Sequence, residues 1–176
     1  MSELSFFVPG QPAPKGSMKP VNVPNVRHTI LVPDNEKIYK PWVRAVVDVA
    51  TLALAVSDWP RKYAGPVLMT CRFLLPMPLS RPAYIRRQAI APCTVTPDLD
   101  KLTRAIGDAC KKAEIYRDDS VIVKDAHEKF EVAEHQLCGV EVMVRTLDDE
   151  LDQTMAELLA RRRAAPRPPI SMLGRR

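Results

Sequence analysis

The sequence predicts an α+β fold, a single domain in which a mixed β-sheet packs with two main helices, followed by a C-terminal helix and a basic tail. Three observations lead there. Four segments read as strands, at 4–10, 65–76, 120–132 and 138–147. Two longer segments, 37–56 and 99–113, repeat their apolar residues at helical spacing. Seventeen prolines against six glycines, many of them between these segments, mark extended and rigid connections. The division expected is a domain over 1–147, an amphipathic helix over 148–160 and a disordered tail over 161–176.

"LSFFVPG" is a short strand stopped by Pro9-Gly10. A proline-rich loop follows, with a strand-like piece at "RHTILV" (27–32), and its bases meet no acid until Asp34. From Lys37 to Val56 the residues Ile38, Trp42, Val46, Val49, Ala50 and Ala53 form an apolar stripe, and Pro41 fits only a first helical turn. "GPVLMTCRFLLP" (65–76) alternates poorly and reads as a strand buried on both faces. The connection over 76–97 is again rich in proline. Between Asp58 and Asp98 lie six basic residues and no acid. Leu99, Leu102, Ile106, Cys110 and Ala113 are the expected buried stripe of the second helix. The final periodic segment, from Leu147 to Leu159, has acids at its start and arginines at its end, a polarity that complements the helix dipole.

Charge is unevenly distributed. The net +5 comes from the tail, "RRRAAPRPPISMLGRR", which has six arginines and no acid, whereas residues 1–160 hold 20 basic and 21 acidic residues. With the acidic 147–160 segment set aside, the body is mildly basic around a compact cluster of acids, a pattern that suits a polyanion held around a cation. Cys71, Cys93, Cys110 and Cys138 contain no Cys-x-x-Cys pair, which argues against a zinc site. Nothing at the start reads as a signal peptide, and the longest apolar run, 45–56, contains Asp48 and is too short to span a bilayer. A reduced cytoplasmic setting is expected.

The acids concentrate in "TPDLDKLTRAIGDACKKAEIYRDDS" (96–120), which holds Asp98, Asp100, Asp108, Asp118 and Asp119. Two like charges about 4 Å apart repel by roughly 4 kcal/mol at an effective dielectric near 20. Residues two apart on a helix diverge by about 200°, so Asp98 and Asp100 can share a ligand only if Asp98 is still extended. Thr96 before Pro97 is pushed toward that conformation. Local chemistry also allows a plainer role: Asp98 as N-cap and Asp100 as a first-turn acid, each stabilising the helix by about 0.5–1 kcal/mol. A helix of about 15 residues is ~22 Å long, so spacing alone does not bring Asp118 and Asp119 back to the first pair. His127 and His135 read as surface residues, and Arg104 with Asp108 either as a surface ion pair or as residues of a site.

The stretch "PDLDKLTRAIGDACKKAEIYRDDSVIVKDAHEKF" resembles the signature of RusA-type Holliday junction resolvases, and "FFVPGQPAPKGS" is similar to that family's start. The resemblance covers roughly residues 4–147. It implies that Asp98, Asp100 and Asp119 are catalytic carboxylates binding Mg²⁺, with Mn²⁺ as a substitute. Asp108 matches a mid-helix acid, Asp118 precedes the third carboxylate, and Lys129 matches a lysine at the end of the strand. Two departures stand out. Lys101 occupies a position where the family commonly has Asn, and Arg104 replaces a catalytically important lysine; Arg104 keeps the charge but does not donate a proton at neutral pH. The resemblance further implies a homodimer acting on branched DNA without a nucleotide cofactor, in a bacterial or phage setting, for recombination and repair. Lys15, Lys19, Arg27, Arg81, Arg86, Arg87 and Lys101 are then expected to contact DNA phosphates. The rival reading is a branched- or single-stranded-DNA-binding protein without cleavage. A nuclease of the Pro-Asp…(Asp/Glu)-x-Lys type fails on context, because "PDLD" here opens a helix.

Overall fold

The computed structural model describes residues 2–16, 18–21, 30–33, 36–134 and 136–147, together with Glu157 and Ala160. Its centre is a five-stranded mixed sheet in the order β1-β7-β4-β6-β5, made of β1 (Glu3–Pro9), β4 (Val67–Pro76), β5 (Ile90–Pro92), β6 (Ile122–Val132) and β7 (Gly139–Thr146). β2 (Met18–Val21) and β3 (Ile30–Pro33) form a separate antiparallel pair. The helices are α1 (Glu36–Ala55), the one-turn α2 (Ala83–Arg86) and α3 (Leu99–Lys112). The α+β expectation therefore holds, and the mixing has a single source. β4 pairs with β6 in parallel, while β4–β7, β1–β7 and β5–β6 are antiparallel. Parallel neighbours require a long crossover, and α3 lies within it.

One face of the sheet packs against α1 and α3. Val8, Met69, Cys71, Phe73, Val140, Val142 and Val144 meet Trp42, Val46 and Ala50 of α1 and Leu102, Ile106 and Cys110 of α3 in one buried cluster. The α3 stripe forms as the periodicity indicates, widened by Ala105 and Ala109, with Leu99 only partly buried. The α1 stripe is rotated from expectation. Tyr39, Trp42, Val43, Val46, Ala50 and Leu54 are buried, and Ile38 is exposed. Pro41 lies inside α1 rather than in its first turn, because the helix begins at Glu36. The lost backbone donor is tolerated by a helix whose flanking Trp42 and Val43 are anchored in the core.

β4 is not buried on both faces. Its core side is covered by the helices, but Arg72 stands on the other side, bonded to Glu128 of β6 at 3.0 Å and Glu141 of β7 at 3.2 Å. The connections expected to be loops also contain structure, in the form of β2, α2 and β5. Their pairing partners are distant in sequence or too short to show periodicity. Except for Glu157 and Ala160, the segments 148–160 and 161–176 lie outside the described residues.

The β1–β7 pair closes tightly at Gly139, opposite Pro9. A Cβ there would stand 2.3 Å from the Val8 carbonyl oxygen and 2.5 Å from the Phe7 ring. Backbone must therefore move to admit even a methyl group. Gly139→Ala is expected to destabilise the domain by about 1–3 kcal/mol, measured by urea unfolding; an unchanged midpoint would show that this end of the ladder opens freely.

Candidate functional site

The start of α3 has the extended entry that the sequence suggests. Asp98 is the N-cap, with extended backbone at φ −68° and ψ 139°, and Asp100 falls in the first helical turn. The Asp98 carboxylate caps no backbone N–H. It instead accepts from Lys101 Nζ at 2.9 Å and keeps 53% of its side-chain surface exposed. Lys101, assisted by Lys129, holds the Asp98 carboxyl below the usual carboxylate range. Asp100 pairs with Arg104 one turn on, at 3.6 Å. The plain capping role for Asp98 is thus not the one its side chain takes.

Two tethers fix this end of the helix. Lys129 of β6 donates to the carbonyls of Val95 at 2.6 Å and Pro97 at 2.8 Å, binding the sheet to the segment that leads into α3. The Lys15 backbone N–H donates to the Lys101 carbonyl at 3.0 Å, so the N-terminal loop lies along the first turns. Further down, the Lys15 ammonium pairs with Asp108, which also accepts from the Tyr39 hydroxyl at 3.5 Å. The expected Arg104–Asp108 ion pair gives way to these two pairings, since Arg104 turns toward the N-terminus of the helix and Lys15 arrives from a distant loop.

The exit of α3 is set by burial. Tyr116, 1% exposed, donates its hydroxyl to the Gly107 carbonyl at 2.9 Å, and Trp59 Nε1 donates to the Ile115 carbonyl at 2.9 Å. The chain then turns through a short 3₁₀ segment, Asp119–Val121, before β6. Asp118 caps this segment, accepting from the Ser120 N–H at 3.1 Å and from the Lys111 ammonium, and these bonds hold its carboxyl well below the usual range. Asp119 lies 3.9 Å from Lys111 Nζ.

β6 then runs back along α3. Its register with β4 sets Asp125 opposite Met69, His127 opposite Cys71 and Lys129 opposite Phe73, on the helix-facing side. A cleft of about 230 Å³ opens between α3 and β6, bordered by Thr103, Arg104, Asp108, Asp119, Asp125 and His127 above Met69 and Ile122. Arg104 therefore relates the two ends of the site: it pairs with Asp100 and shares the cleft with Asp119. His127, expected at the surface, keeps only 8% of its side chain exposed. Strand alternation could have indicated its side of the sheet; the helix that covers it could not be placed from sequence.

Among the described residues, no three His, Cys, Asp or Glu side chains stand together as a closed metal site. The donor set itself fits a hard divalent cation. Asp98, Asp100 and Asp119 offer carboxylate oxygens only, with 53%, 66% and 59% of their side chains exposed, but they are not gathered around one point: Asp98 and Asp100 pair with Lys101 and Arg104 at the start of α3, and Asp119 lies beside Lys111 at its end.

The basic residues separate into two groups. Arg81 makes a bidentate pair with Glu131, both bonds 2.7 Å, and Glu131 is 1% exposed. Its guanidinium is committed to the protein, and its backbone carbonyl accepts from Arg86 Nε at 3.0 Å. Arg87 caps α2 and is exposed, beside an exposed Tyr84. Lys19 lies in β2, but its side chain, like Arg27 and His135, falls outside what is described.

A helix-backed mixed sheet that displays a string of carboxylates between lysines and arginines defines an α+β domain with an acidic, cation-flanked face. Residues 9–145 match the family model of endodeoxyribonuclease RusA, and the chain belongs to that family of DNA endonucleases. No match was found among curated proteins.

Arg81→Ala strands the buried Glu131 carboxylate and is expected to lower the thermal midpoint. Arg86→Ala and Arg87→Ala should leave it unchanged, and differential scanning fluorimetry distinguishes the two behaviours. Equal midpoints for all three would remove Arg81 from its structural role.

Proposed function

We propose that the protein is a Mg²⁺-dependent endonuclease that resolves four-way DNA junctions as a homodimer, by paired symmetric nicks. The observation that carries this reading is the placement of Asp98, Asp100 and Asp119. Asp98 and Asp100 stand at the start of α3 and Asp119 after its end, Arg104 pairs with Asp100 and borders the same cleft as Asp119, and the Asp98 carboxylate is not spent on capping. Family membership supplies the reaction class and the branched substrate.

Bound by these carboxylates, the metal would supply Lewis-acid polarisation of the scissile phosphate and acidify a water. The chain's own groups do the rest. Arg104 sets a permanent positive charge between Asp100 and Asp119, where charge builds on the phosphoryl oxygens. Because a guanidinium keeps its proton, Arg104 acts by charge and positioning and not by proton transfer. Lys129, bonded to the Val95 and Pro97 carbonyls, holds the approach to α3 in place and adds positive potential beside Asp98. Lys101 neutralises Asp98 until a cation or phosphate replaces that pairing. Arg86 and Arg87 extend the positive rim for the DNA backbone, giving affinity that falls with salt. A four-way junction presents two equivalent strands, which a two-fold symmetric dimer matches.

A synthetic four-way junction incubated with the protein should yield nicked duplexes carrying 5′-phosphates in Mg²⁺ and remain whole in EDTA. Asp100→Asn should abolish cleavage while retaining junction binding. Arg104→Ala should slow it by roughly 10²–10³-fold. Retarded but intact junction in both conditions would favour the non-catalytic DNA-binding reading instead. In the same gel-shift format, Arg86→Ala/Arg87→Ala is expected to weaken binding and reduce the slope of log K against log salt by about 2; an unchanged slope would take those residues off the DNA path.

A further inference from the structure

The α3–β6 cleft contains polar groups that neither the fold nor the family's carboxylates account for. Both ring nitrogens of His127 are shut off from solvent and lack a hydrogen-bond partner, and so is Thr103 Oγ1 on the facing helix. His127 Nε2 lies 3.1 Å from Asp125 Oδ2 but is not aligned for a hydrogen bond. A buried imidazole left unpaired is costly, and the cleft's polar border shows what would relieve it. Asp108 is already compensated by Lys15. Asp119 and Asp125 add two more carboxylates, and Arg104 is the cation bordering the same space. An anion would meet these carboxylates at close range. A cation would be attracted by them and could accept the imidazole lone pair.

We propose that Asp125 and His127, with Asp119 turning in as a third ligand, form a second divalent-cation site in this cleft. Its imidazole nitrogen favours a transition ion such as Co²⁺ over Mg²⁺, and the two carboxylates also admit Mn²⁺. Two atoms bound to one ion at about 2.0–2.2 Å stand roughly 3 Å apart, which is the separation of His127 Nε2 and Asp125 Oδ2. A close nitrogen–oxygen approach without hydrogen-bond alignment is what two neighbouring ligands of one ion present. Asp119 sits on a 3₁₀ turn with an exposed carboxylate and borders the same cleft, and the proposal requires its side chain to turn inward from Lys111. Thr103 Oγ1 faces the same space and can hold a water on the ion. The site rests on the reading of Asp119 as a cation ligand but not on Asp98 or Asp100.

Mn²⁺ alone, added to the full chain, tests this by pulsed electron paramagnetic resonance, which detects nitrogen bound to the ion. Nitrogen modulation is expected in the wild type and in Asp98→Asn/Asp100→Asn, and it should vanish in His127→Gln whose far-ultraviolet circular dichroism is native. Asp125→Asn, at an exposed position, should weaken the nitrogen-coupled Mn²⁺ by at least ~10-fold, the scale on which even residues supporting a ligand act. No nitrogen modulation in the wild type, or modulation that persists in folded His127→Gln, overturns the site. Should His127→Gln not fold, unchanged nitrogen-coupled binding in Asp125→Asn overturns it. Loss of the signal in Asp98→Asn/Asp100→Asn would overturn its independence from the first pair. A chain that keeps the signal but leaves junctions intact in Mg²⁺ would refute the proposed function and leave this site standing.

Discussion

The parallel pairing of β4 with β6 is the constraint on which the site depends. Two parallel neighbours cannot be joined by a tight turn, so the chain must leave the end of β4, cross the sheet and return to the start of β6. α3 makes the return journey, packed on the sheet by Leu102, Ile106 and Cys110. That geometry lays a 14-residue helix beside an 11-residue strand running past it. Acids then lie at the start of the helix, in its middle and just after its end, and the latter two, Asp108 and Asp119, meet Asp125 and His127 of β6 at one cleft.

Electrostatics along this face is managed by local partners. Asp98 is balanced by Lys101, Asp100 by Arg104, Asp108 by Lys15 and Asp118 by Lys111. Exposed pairs of this kind contribute little to stability, so their value lies in making carboxylates tolerable at close quarters. Arg81 and Glu131 are different. A bidentate pair with a nearly inaccessible carboxylate anchors the basic connection to β6, so the most enclosed arginine of that segment serves the fold. Arg86 and Arg87 are both exposed.

Arg104 pairs with Asp100 and borders the cleft that Asp119 also lines. In the proposed reaction a guanidinium there serves electrostatic stabilisation rather than proton transfer. The same cleft holds an imidazole, so a group with an exchangeable lone pair is present a short way from the arginine that lacks one.

Sequence by itself determined the elements and the chemistry along them. Helical periodicity marked α3, the Thr96-Pro97 pair marked an extended entry to it, and the ordered acids from Asp98 to Asp119 supported a family resemblance that the family model bears out. These features are local, governed by backbone sterics and spacing within a few residues. Contacts between distant segments were decided only in the tertiary structure. Lys15 meets Asp108 across 93 positions, Arg81 meets Glu131 across 50, and Lys129 meets Val95 and Pro97 across more than 30. His127 shows the difference most plainly. Its place on a strand was legible, but its burial depended on which side of β6 a separate helix would cover, and that follows from the packing of the whole sheet.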